Sequence, residues 1–167
     1  MSWGDFYRRR DILAALLRNA ERDPHAPLRL EDVPGAVAYF RDEPSALLAL
    51  HYRWSLLLGG RVRTELCDAD DALDAVRTAW QATVAEHGTL YAVLDAGARR
   101  HPEALAPALE NERRMLADAA QLTGPAEPAV DASRVGAALE SLLRATPAPA
   151  PRRCTAAALW RRLAPST

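Results

Sequence analysis

Histidine, cysteine and clustered carboxylates are the side chains that would first announce a chemistry in this 167-residue chain, so their spacing comes first. His25, His51, His87 and His101 contain no pair at the i,i+4 spacing that puts two imidazoles on one helix face for a metal. Cys67 and Cys154 lie far apart with no cysteine or histidine at ligand spacing, so they read as two free thiols in a reducing compartment. The acidic runs Glu110-Asn-Glu-Arg-Arg114 and Asp68-Ala-Asp-Asp71 have the character of surface and helix-start groups, not of an acid–base pair. Every basic residue is arginine; with no lysine there is no Schiff-base nucleophile and no phosphate-loop lysine. No catalytic residue, metal or cofactor is therefore assigned, and the chain is expected not to be an enzyme.

Two further sets of residues could bind something. His51, Trp54, Trp80, Tyr91 and Met115 could line a pocket for a small apolar effector, or they could fill a core. His51 is the most informative of them, because an imidazole in an otherwise apolar helix needs a polar partner, either a structural carboxylate or a ligand. Arg8, Arg9 and Arg10, with Arg29 and Arg41, could touch phosphates, or they could form a solvated face. The interspersed Asp5, Asp11, Glu31 and Asp32 dilute their field, and the whole chain balances 21 basic against 22 acidic residues.

The elements that must position these groups read as helices throughout. Alternating strands and hairpin turns are missing, so the expected class is all-α. A first helix is expected over about Asp5 to Arg22, with Phe6, Leu13, Leu16, Leu17 and Ala20 on one face. Pro24, Pro27, Pro34 and Gly35 then leave room only for a turn near Leu30 to Val33 and a short piece at Ala36 to Phe40. Asp42 is the expected N-cap of a central apolar helix, interrupted by a kink or break at Gly59-Gly60. Further helices start near Asp68 or Asp70, at Thr89 and at Pro102, the last with Glu110 and Arg114 paired on its solvent side. A final helix carries Val135, Ala138, Leu139 and Leu142, with the small residues Gly136, Ala137 and Ala138 suited to a close partner helix. The division expected is a head over residues 1–46, a body over 47–146, and a Pro-rich spacer with a short basic segment over 147–167. No stretch reaches membrane-spanning length and no leader pattern is seen, so a soluble cytoplasmic protein without membrane contact is expected.

Three stretches resemble the TetR-type transcriptional regulators. Arg10-Asp-Ile-Leu-Ala-Ala-Leu-Leu resembles the family's first helix, Val37-Ala-Tyr-Phe-Arg-Asp-Glu-Pro-Ser-Ala-Leu-Leu-Ala-Leu its junction, and Trp80 to Leu122 its body. The resemblance spans about three quarters of the chain and is most specific from Tyr39 to Leu50. It implies a helical bundle with a small DNA-binding head, an effector pocket in the body and a homodimer through the last helices, here Val135, Ala138, Leu139 and Leu142. The head departs from the family in one respect: the interval before Tyr39-Phe40 is about eight residues short, roughly two turns of helix. The helix-turn-helix is thus expected to be degenerate, with DNA binding reduced or altered. The alternative is a helical module that binds another protein and no DNA.

Overall fold

The computed structural model describes residues 3–124 and 128–146. Among them are seven α-helices and one 3-10 turn, with no strand. These are α1 (Trp3–Ala20), the turn Leu30–Asp32, α2 (Ala36–Tyr39), α3 (Glu43–Asp68), α4 (Ala72–Glu86), α5 (Gly88–Arg100), α6 (Pro102–Ala119) and α7 (Ala129–Ala145). No described helix is long and apolar enough to cross a membrane. The spacer and basic segment at 147–167, with Cys154, lie outside the described residues.

The central helix α3 packs against α1, α4, α5 and α6. Its start is set by a capping box: the Asp42 carboxylate accepts from Ser45 N–H at 3.0 Å, while Asp42 N–H donates to Ser45 Oγ at 3.2 Å. The Ser45 N–H, foremost, holds the Asp42 carboxyl below its ordinary value. The expected break at Gly59-Gly60 does not occur, and α3 runs unbroken for 26 residues. Two glycines cost about 1 kcal/mol each in a helix. Leu58 and Val62, both buried on either side of the pair, outweigh that by packing.

A single apolar core runs from Ile12, Leu13 and Leu16 of α1 through Leu47, Leu50 and Trp54 of α3 to Leu139 and Leu143 of α7. The boundary read at residue 46 falls inside α3, and this core continues across it. Phe6, expected on the buried face of α1, is instead 60 % exposed. From Ile12 onward α1 is covered by α2, α3 and α5, whereas its first turns lie outside this core.

Helices α6 and α7 make the most extensive helix pair. Gly136 permits it: a Cβ there would stand 2.0 Å from the Arg113 carbonyl oxygen, so the two backbones meet directly. The close partner expected for the small residues of α7 is thus α6 of the same chain. Charge fastens the seam, since Arg144 reaches Glu140 at 2.6 Å and Asp95 of α5 at 2.6 Å, and Arg113 reaches Glu140 at 3.0 Å. Burial opposes ionisation of Asp95, but the Arg144 and Arg99 guanidinium groups outweigh it and hold the carboxyl below its usual range. On α6, Arg114 reaches the side chain of Asn111 and the carbonyl of Glu110, rather than the Glu110 carboxylate.

Candidate functional site

Of the five residues read as a pocket, His51 and Trp54 meet at a carboxylate that the sequence reading placed on the surface, Tyr91 and Trp80 join Trp54 through their rings, and Met115 packs against the general core. His51 and Trp54 lie one turn apart on the buried face of α3, Trp80 on α4, Tyr91 on α5 and Met115 on α6. Tyr91 joins the rings, 5.5 Å from Trp54 and 5.6 Å from Trp80 between centroids. Burial pushes its phenol up from the ordinary value. Glu112 of α6 enters this cluster with its side chain only 10 % exposed. Trp54 Nε1 donates to one carboxylate oxygen at 3.0 Å, and His51 Nε2 stands 2.9 Å from the other.

An isolated carboxylate in such a place costs several kcal/mol, roughly, so donors must be supplied with it. The His51 approach is close without being aligned as a hydrogen bond, which makes Trp54 the aligned donor. On the far side of the ring, Ser55 Oγ lies 3.3 Å from His51 Nδ1. The hydroxyl, imidazole and carboxylate thus stand in line, but Ser55 donates to the His51 carbonyl at 3.0 Å. That bond commits the hydroxyl proton to the backbone, so the line has the character of a polar fastening between α3 and α6.

Surface depressions among the described residues lie away from this cluster. One is bounded by the end of α1 and the following loop, including Leu16, Ala20 and Leu28. The second lies at the α5–α6 corner beside Arg100 and His101, and the third between α3 and α4 near Leu57 and Thr83.

The head arginines lie on separate segments, three of them consecutive on α1 and the others before and after α2. Arg8, Arg9 and Arg10 are exposed on α1. Arg9 lies over the Phe40 ring at 5.4 Å, and Arg10 pairs with Asp11 at 3.0 Å. Arg29 pairs with Glu31 and Asp32, and Arg41 with Asp42. Between α1 and α3 the chain holds only the three-residue turn and the four-residue α2, entered through Gly35 at φ +81.

A second hidden carboxylate anchors this connection. Glu43, 14 % exposed, accepts from Leu28 N–H at 2.9 Å, from Arg100 at 2.6 Å, and contacts His101 Nε2 at 2.8 Å. Arg100 also donates to the carbonyls of His25 and Ala26 at 2.8 and 3.3 Å. Burial opposes ionisation of Glu43, yet Arg100, His101 and the Leu28 amide together hold its carboxyl below the ordinary value. His101, which follows the last residue of α5, is part of this clasp.

Of the residues read as a dimer face, Leu139 is buried in the chain's own core and Val135 is half-buried, while Ala138 and Leu142 are exposed. Leu142 keeps 65 % of its surface in solvent. Compared with known proteins, the chain matches no family model, no curated protein and no solved structure.

Proposed function

We propose that this chain is a helical protein-interaction module that keeps the plan of a TetR-type regulator without its groove-reading element. The observation that carries the reading is the connection between α1 and α3: a four-residue helix advances about 6 Å, too little to enter a major groove and reach base edges. The Glu43 clasp supports it further, because it draws the Leu28 end of that connection against the body instead of projecting it. The residues expected to line an effector pocket support it too, since His51 and Trp54 close on Glu112 and the rings of Trp54, Tyr91 and Trp80 on one another.

The test is a titration of fluorescently labelled duplex, both random and taken from upstream of the chain's own coding sequence, followed by anisotropy at low salt. The module reading expects no affinity above that of a neutral carrier protein. Affinity that falls steeply and linearly on a log–log salt plot would sink it. That outcome would favour the second reading, a homodimeric TetR-like regulator, whose support is the exposed run Arg8 to Arg10 and the exposed Ala138 and Leu142 of α7.

A further inference from the structure

The two ends of α3 carry surfaces of opposite character. At its N-terminal end stands the projecting start of α1, where Arg8, Arg9 and Arg10 follow Phe6, 60 % exposed, and Tyr7, 47 % exposed. The Arg9 guanidinium over Phe40 fixes that position, and Val37 of α2, 65 % exposed, belongs to the same end. Arg8 has no ion-pair partner among the described residues. At the C-terminal end lies the α3–α4 corner. Residues 65–74 hold Glu65, Asp68, Asp70, Asp71 and Asp74 without one basic residue, and Leu73 stands 42 % exposed among them. Asp71 caps α4 and Asp74 pairs with Arg77, while Glu65, Asp68 and Asp70 make no ion pair among the described residues.

Both surfaces mix charge with exposed apolar side chains; in the head Asp5 and Asp11 stand beside the three arginines and Asp11 takes up Arg10, so Arg8 and Arg9 carry the positive charge that the acidic corner lacks. They cannot meet within one chain, because the 26 residues of α3 hold them about 39 Å apart. The macrodipole of α3 runs in the same sense, positive toward the head and negative toward the corner. We infer that the basic aromatic face of α1 docks the acidic α3–α4 corner of a second copy, giving head-to-tail association driven by opposite charge and sealed by Phe6 and Leu73. The contact joins unlike patches, so it is heterologous and each subunit keeps one free patch until a ring closes. It deepens the module reading by naming a partner, and it can fail while the duplex titration still goes as that reading expects.

Sedimentation velocity of the full chain tests it. The wild type is expected to associate with rising concentration at low salt and to dissociate at high salt. The double variants Arg8→Glu/Arg9→Glu and Asp68→Arg/Asp70→Arg are each expected to weaken self-association by about tenfold or more. An equimolar mixture of the two restores it, because the reversed head of one variant then faces the reversed corner of the other. Far-UV circular dichroism checks that both keep the wild-type helix content. If either does not, the neutral pairs Arg8→Gln/Arg9→Gln and Asp68→Asn/Asp70→Asn replace them, each expected to weaken the low-salt association. A wild type that stays monomeric at low salt overturns the proposal. So does association that ignores salt and these substitutions, or a mixture of folded reversed variants that remains as dissociated as its components.

Discussion

Compared with the head, the body of this protein is joined by contacts that leave no slack. At the α6–α7 seam a glycine brings backbone against backbone, and between α3 and α6 the Glu112 carboxylate is sealed in by Trp54 and His51. The head is held differently. Its connection crosses from α1 to α3 with little regular structure and is drawn in by Glu43, whose donors are an arginine, a histidine and one backbone amide. A packed seam fails when its volume changes, whereas a polar clasp fails when its charge changes. The two regions should therefore answer to different perturbations.

The largest effect is expected where both kinds of constraint coincide. Glu112→Ala leaves the Trp54 indole N–H buried without its acceptor and removes the carboxylate that stands against the His51 imidazole. The expected loss is about 3–5 kcal/mol of unfolding free energy, measured by urea denaturation. Glu112→Gln keeps an acceptor for Trp54 and should lose clearly less. Equal losses for the two would show that the carboxylate's hydrogen bonding is not what joins α3 to α6.

Next comes the seam itself. Gly136→Ala adds one methyl group where the Arg113 carbonyl already stands, so α7 must shift or rotate. The expected loss is about 2–3 kcal/mol in the same denaturation experiment, with the Arg144–Glu140–Arg113 fastening loosened as a consequence. The control is Ala138→Gly on the exposed side of α7, which should cost only its helix propensity, about 1 kcal/mol. A Gly136→Ala protein as stable as wild type would mean that the seam has the slack denied to it here.

Much of this architecture was legible in the sequence. Asp42 caps its helix as read, and the short pieces at Leu30–Asp32 and Ala36–Tyr39 sit where proline and glycine confine them. The unbroken α3 was not legible, because the packing that outweighs Gly59-Gly60 comes from other helices. Glu43 and Glu112 were missed for a related reason: their partners Arg100, His101, His51 and Trp54 are distant in sequence. A local signal did exist. The residues three and four places after Glu43 are Ala46 and Leu47, and those after Glu112 are Met115 and Leu116. An acid on such an apolar register has no partner on its own helix face and must find one elsewhere. Phe6 errs in the opposite direction, since its helical register places it on the apolar face while the helices that cover α1 bury it only from Ile12 onward.

The smallest effect, and the one that best separates head from body, belongs to the clasp. Glu43→Gln should cost about 1–2 kcal/mol near neutral pH, the worth of charge-assisted hydrogen bonds at a partly buried site. Because the folded carboxyl is held below its ordinary value, Glu43 contributes stability that is fully present above the unfolded value of about 4.3 and lost as the pH falls through the folded value. The wild-type and Glu43→Gln stability curves should therefore lie apart at neutral pH and converge in acid. Amide hydrogen exchange should localise the change: faster exchange at the Leu28 amide and through residues 21–42, with the α6–α7 seam unaltered. Exchange that quickens equally in α7 would mean that head and body open as one unit, and the contrast between a packed body and a clasped head would then be lost.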